Sequence, residues 1–182
     1  MISARCYGRL MGLAADLGFA YPRRTRFHRL VQAFAASRVG AWLTPKTLVP
    51  LDKLATRLSK GRFSLPVVLA GLPVLTVETR GRRSGLARSA HLIAVPFEDT
   101  LALLGTNFGQ PTTPAWVLNL EAHPATSITY RGVTRLVHAR AAGGDEFRTI
   151  LATAAELFAG TARYDDRIRR HRRLRVFVLE PS

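Results

Sequence analysis

The sequence predicts an α+β domain with a mainly β core, a small antiparallel barrel of about six strands with helices packed outside it. Three observations predict this. From Leu72 onward, short apolar runs recur between turn residues; helical periodicity interrupts them after Thr113 and Asp145; and the spans joining neighbouring runs are short. The chain has 182 residues, 47% of them hydrophobic and 21% charged, enough apolar surface to offset chain entropy and so to exclude wholesale disorder.

Taken in order, the first third reads as two basic amphipathic helices. Phe27, Leu30, Val31, Phe34 and Ala35 recur at helical spacing, Arg26, Arg29 and Arg38 fall elsewhere on the wheel, and Thr44-Pro45 stops the pattern. The second helix starts near Pro50, carries Leu51, Leu54 and Leu58 on one stripe, and ends at Gly61. Six strands follow, at Val74–Thr79, Ser89–Phe97, Leu101–Thr106, Ser127–Tyr130, Val133–Ala139 and Leu174–Leu179. Gly81–Gly85, Glu98-Asp99 and Arg131-Gly132 are short links, so strands one to three, and four and five, should form antiparallel meanders. Thr113-Pro114 reads as an N-cap with proline at the first helical position, opening a helix that Pro124 ends. Asp145 reads as the cap of a longer helix with Phe147, Ile150, Leu151, Ala154 and Phe158 on its core stripe.

Composition divides the chain at about residue 64, into a helical extension (1–64) and a barrel domain (65–182). Lys and Arg number 27 against 12 Asp and Glu, a formal +15, and residues 1–65 hold 12 of those basic residues with only 2 acidic ones. Such a charge calls for an anionic partner: nucleic acid, an acidic membrane surface, or a phosphorylated or carboxylated small molecule. Cys6 is the only cysteine, which excludes an intrachain disulfide or a thiolate metal cluster and fits a reducing compartment. Asp16 interrupts the apolar stretch from Leu10 to Ala20, against a signal peptide, and the run from Leu65 to Val77 contains two prolines and is too short to span a bilayer.

Two stretches could carry chemistry. Thr79-Arg80-Gly81-Arg82-Arg83-Ser84-Gly85-Leu86-Ala87-Arg88 gathers guanidinium groups, a hydroxyl and flexible backbone in one hairpin turn. Arginine forks bind phosphate bidentately and glycines let backbone N–H groups approach the same anion, although a solvated basic turn has the same composition. It is neither a Walker A loop nor a dinucleotide fingerprint. The second stretch, Gly105-Thr106-Asn107-Phe108-Gly109-Gln110 followed by Pro114-Ala115-Trp116-Val117-Leu118-Asn119-Leu120, sets polar groups at a strand end before a helix N-terminus. Trp116 and Asn119 share nearly one helix face, which suits either joint presentation of an indole and an amide or a core anchor beside a loop cap. The run Arg167-Ile168-Arg169-Arg170-His171-Arg172-Arg173 reads by default as a solvated basic face. No two histidines stand i, i+4, so no zinc site is expected.

These blocks, in this order, resemble the deazaflavin-dependent nitroreductase family, whose members have a split β-barrel fold and use coenzyme F-420. Thr79–Gly85 with Arg88 is similar to the family's basic Gly/Ser turn. Thr106-Asn107-Phe108-Gly109, Pro114–Leu120 and His123-Pro124 are similar to its second block, and Val176–Pro181 to its closing strand. The resemblance implies that Arg82, Arg83, Ser84 and Arg88 hold the coenzyme's phosphate and acidic tail. It further implies that Ser89, Ala90, His91, Leu92 and Ile93, with Leu104, Gly105, Thr106 and Asn107 and with Ala115, Trp116 and Asn119, line the flat ring. Phe108 stands where the family has glycine, Ala90-His91 replaces a common polar-Pro pair, and Tyr164 is the one tyrosine in the stretch matching the family's tyrosine-rich lid.

The function so implied is that of a cytoplasmic oxidoreductase that passes a hydride from reduced coenzyme F-420 (an 8-hydroxy-5-deazaflavin) to a small hydrophobic quinone, enone or nitro compound. FMN is the alternative cofactor. Tyr164 is the expected catalytic residue, on the acceptor side. A barrel that binds cofactor or lipid without turnover is the competing class. Nucleic-acid binding has only the charge in its favour, since no array of stacking aromatics accompanies it. The basic 1–64 segment should either pack on the barrel or lie peripherally on an anionic membrane, the inner face of the plasma membrane.

Overall fold

The computed structural model describes residues 12–20, 73–157, 168 and 171–182. Helix α1 (Leu13–Asp16) precedes strands β1 (Val74–Arg80), β2 (Ala87–Phe97) and β3 (Thr100–Leu104), a 3-10 turn (Asn107–Gly109) and helix α2 (Ala115–Ala122). Strands β4 (Ala125–Tyr130) and β5 (Val133–Ala141), helix α3 (Gly144–Leu157) and strand β6 (Val176–Pro181) complete the order. The expected helices between residues 26 and 61, the division at residue 64 and Tyr164 lie outside the described residues.

All six strands pair antiparallel in one closed barrel, β1-β2-β3-β6-β5-β4. The predicted meanders β1-β2-β3 and β4-β5 are both present; β6 enters between β3 and β5, and β1 pairs with β4 to close the ring. The barrel is packed on two sides. Its interior holds Leu75, Val77, Leu101, Leu103, Ile128, Val137 and Leu179, with α2 adding Val117 and Leu120 and α1 adding Leu13, Ala14 and Leu17. Outside, Val95, Phe97, Ala102, Val176 and Val178 meet Ile150 and Ala154 of α3, together with Ile168 and Leu174. Strands β3 and β6 are therefore apolar on both faces, whereas β4 shows the alternation of a strand with one wetter face.

Two helix starts differ from the sequence expectation. Pro114 is extended (φ −59°, ψ 144°), so it is the cap of α2 rather than its first helical residue, and Thr113 lies outside. Helix α3 begins at Gly144, and Asp145 lies in its first turn instead of capping it. The Glu146 carboxylate reaches back to accept the Gly143 N–H at 2.7 Å and Arg140 Nη2 at 2.7 Å, which holds its pKa down at about 2. Arg140 also donates through Nε to Glu180 at 2.7 Å, so one guanidinium ties the start of α3 to β6. Among the described residues no helix is long and apolar enough to cross a membrane.

Candidate functional site

The β1–β2 turn is built by two glycines. Gly85 has φ +67°, a left-handed backbone that glycine adopts without a Cβ penalty. A Cβ on Gly81 would stand 2.7 Å from the Ser84 Oγ and 3.2 Å from the Leu86 carbonyl oxygen, so a larger residue there would push the serine hydroxyl aside and crowd the turn. The Gly81 N–H donates to the Leu86 carbonyl at 2.8 Å and the Gly85 N–H to the Gly81 carbonyl at 2.7 Å, leaving the side chains of Arg82, Arg83 and Ser84 exposed outside the loop. Register places Thr79 opposite Arg88, which brings a third guanidinium beside the same turn.

Asn119 fixes this turn from α2. Its buried amide donates through Nδ2 to Thr79 Oγ1 at 3.0 Å and accepts the Arg82 N–H on Oδ1 at 3.1 Å. Thr79 passes the connection on by donating to the Arg88 carbonyl at 3.3 Å. Asn119 is therefore committed to protein partners and acts as a brace for the arginine turn. Trp116, one turn before it, is half-buried against the barrel core, with its ring 6.0 Å from that of Phe177.

These groups line one cleft of about 630 Å³. Arg82, Arg83, Ser84 and Arg88 come from the turn, Ser89 and Ala90 from β2, and Ala115, Trp116 and Asn119 from α2. A smaller hollow of about 280 Å³ is lined by Glu98, Asp145 and Glu146, carboxylates unsuited to an anion. Nine of the expected binding residues are thus brought together. His91, Leu92, Ile93, Leu104, Gly105, Thr106 and Asn107 are not among the lining residues. His91 Nδ1 is 3.1 Å from Thr76 Oγ1; Leu92 packs on the interior core and Leu104 on the outer one. Asn107, at φ +46°, donates to the Thr112 carbonyl at 3.0 Å, holding its own loop closed. Thr79 and Gly81 line the cleft although sequence reasoning did not single them out as ligand residues. For Thr79 the signal was available, since Leu75, Val77 and Thr79 alternate onto one face of β1.

The run expected as a solvated basic face contains two exceptions. Ile168 is fully buried in the outer core. Arg172 is half-buried and donates through Nη2 to the carbonyls of Gly105 at 2.8 Å and Thr106 at 3.1 Å, and through Nε to that of Gln110 at 3.4 Å. Burial, and secondarily the charge of Arg175, lower its pKa from the usual arginine value. One arginine among several close neighbours gives no periodic signal, so the sequence did not distinguish it.

A family model described as F420H(2)-dependent quinone reductase matches residues 55–181. The chain belongs to that family. Among solved structures, an F420-H2 dependent reductase (FDR-A) is 27% identical with a TM-score of 0.53, covering 59% of this chain and 94% of its own. A second, described as a domain-swapped dimer, is 26% identical with a TM-score of 0.55, covering 76% of this chain and 97% of its own. The expected split barrel and deazaflavin dependence therefore stand: this member of the F420H(2)-dependent quinone reductases is a deazaflavin-dependent oxidoreductase. The chemistry of the lining suits such a coenzyme, since it combines guanidinium groups, the complement of a multiply anionic ligand, with an indole.

Proposed function

We propose that the 630 Å³ cleft binds reduced coenzyme F-420 and that the acceptor reduced there is a quinone. The observation that carries this reading is the convergence of Arg82, Arg83, Ser84 and Arg88 with Trp116 in one cleft. When bound, the deazaflavin supplies a hydride; with one proton, that hydride takes a quinone to its quinol, so the balance requires neither a protein nucleophile nor a metal. The protein's share is to hold and orient. The arginine turn takes the anionic tail, Ser89 and Ala90 with Ala115 and Trp116 wall the ring, and Asn119 keeps the turn in place. The resemblance adds His91, Leu92, Ile93 and the Leu104–Asn107 stretch to the proposed ring environment, although none of them is among the lining residues of the cleft.

Tyr164 is proposed, from the resemblance, as the acceptor-side group that positions the substrate or delivers the proton. Y164F should then lower turnover more than coenzyme affinity. Residues 13–19 of the basic 1–64 segment pack in the barrel core, so the segment is joined to the barrel there, and its other basic residues are proposed to give reversible affinity for anionic membranes, where apolar quinones concentrate. Salt-sensitive co-sedimentation with anionic but not neutral vesicles supports that role, and equal sedimentation with both vesicle types removes it.

The deciding experiment incubates the full chain with reduced deazaflavin, and in parallel with reduced FMN, and follows oxidation on adding members of a quinone panel. Quinone-dependent oxidation of the deazaflavin alone supports the reading. Binding of FMN without binding of deazaflavin sinks it, and turnover of nitro compounds or enones but no quinone moves the acceptor class.

A further inference from the structure

We infer that Arg172 is a positioning residue for the coenzyme cleft, locking the 105–110 loop against α2. This rests on the reading of the cleft given above. The segment 172–175 grips the loop at both backbone groups of one residue: the Arg172 Nη2 donates to the Gly105 carbonyl at 2.8 Å, while the Gly105 N–H donates to the Arg175 carbonyl at 2.9 Å. The same segment holds α2, because Arg175 Nε pairs with Glu121 Oε1 at 2.7 Å. Loop and helix are then pressed together at Gly105, where a Cβ would stand 2.8 Å from Val117 Cγ2. Trp116, the neighbour of Val117, lines the cleft. A chain of contacts thus leads from Arg172 through the loop and α2 to the ring wall.

The choice of arginine also speaks for geometry over stability. Among the described residues its Nη1 is buried without a hydrogen-bond partner, and a buried donor left unpaired carries a desolvation cost. An apolar residue would avoid that cost, yet only a planar fork reaches Gly105 and Thr106 with one nitrogen and Gln110 with another. Lysine keeps the charge but offers a single nitrogen, so it cannot hold both ends of the loop.

The test compares the parent with R172Q and R172K by amide hydrogen exchange in coenzyme-free protein, then by deazaflavin titration. In R172Q, exchange across residues 105–110 should quicken about tenfold while β4 and β5 stay protected, with R172K between the two. Coenzyme affinity should fall by about tenfold in R172Q and be partly rescued in R172K. Exchange at 105–110 equal to the parent's overturns the inference, and should R172Q fail to fold, R172K decides it by the same criterion. Faster loop exchange with undiminished coenzyme affinity also overturns the positioning role. A parent that binds no deazaflavin fails the reading of the cleft instead, a result separable because the exchange comparison needs no coenzyme.

Discussion

The arginine turn at residues 79–88 and the loop at 105–110 each depend on one polar side chain from another element, Asn119 for the first and Arg172 for the second. Asn119 is neutral, buried and placed where it must both give and take: it donates to a hydroxyl and accepts from a backbone N–H. Among the described residues Arg172 donates to carbonyls alone, so a group made entirely of donors suits it, and one nitrogen is left without a described partner. A mixed donor and acceptor site favours an amide, which meets both needs with one side chain and therefore stabilises. A site of aligned carbonyls favours guanidinium, which fixes geometry while contributing less to stability.

The largest expected effect separates ligand contact from both braces. R82A or R88A should each cost ~1.5–3 kcal/mol of coenzyme binding, ten- to a hundredfold in affinity, with an unchanged melting temperature. Equal loss of melting temperature would show that these side chains also brace the turn. Next comes N119A, which takes the acceptor from the Arg82 N–H and one of its two bonds from the buried Thr79 hydroxyl, whose bond to the Arg88 carbonyl remains. A stability loss of ~1–3 kcal/mol should appear as roughly 2–4 °C of melting temperature per kcal/mol, accompanied by weaker coenzyme binding. N119D sharpens the comparison, since it keeps an acceptor for Arg82 and loses the donor to Thr79; it should fall between parent and N119A. T79V removes both bonds of that hydroxyl, from Asn119 and to the Arg88 carbonyl, and leaves the Asn119 donor unpaired, so it should cost ~1–3 kcal/mol with the side-chain volume preserved.

The smallest effect is placed away from both loops. The Glu146 carboxyl is depressed from its ordinary 4.5 to about 2 by Arg140 and then by the Gly143 N–H. A depressed carboxyl contributes stability that is complete above its unfolded value and is lost as pH falls from about 4.5 through about 2. E146Q should therefore flatten the acid limb of the melting-temperature profile in that window and leave coenzyme affinity at neutral pH untouched. A change in affinity would mean that the start of α3 communicates with the cleft.

Most of the barrel was legible because its signal is local. Alternation along β1 and continuous apolar runs in β3 and β6 follow directly from which faces meet a core. The helix starts were less legible. Whether Pro114 caps α2 or opens it turns on its own ψ, 144° here, which composition does not encode, and Glu146 took the place expected of Asp145 because Arg140, on β5, holds it there. The arginine turn could be read from its residue types, and a loop-capping Asn119 was one of two readings of its helix face, but which loop it caps could not be read. Its partners lie 37 and 40 residues away in sequence, and only the pairing of α2 with β1 brings them within reach. Arg172 was invisible for the same reason, its carbonyl partners lying 62 to 67 residues earlier.

The position of β6 sets a timetable for folding. Until it is inserted, β3 and β5 remain two open edges, each a row of unpaired backbone groups able to template foreign strands. The segment that completes the wall also carries the grip on the 105–110 loop, through Arg172 and Arg175. During synthesis, the meanders β1-β2-β3 and β4-β5 can therefore form early, but a closed ring and a braced cleft must both wait for residues 172–181 to leave the ribosome. A nascent chain halted before residue 172 should be recognised by chaperones that bind exposed strand edges. Release of ten further residues should end that recognition and complete the brace of the proposed coenzyme cleft.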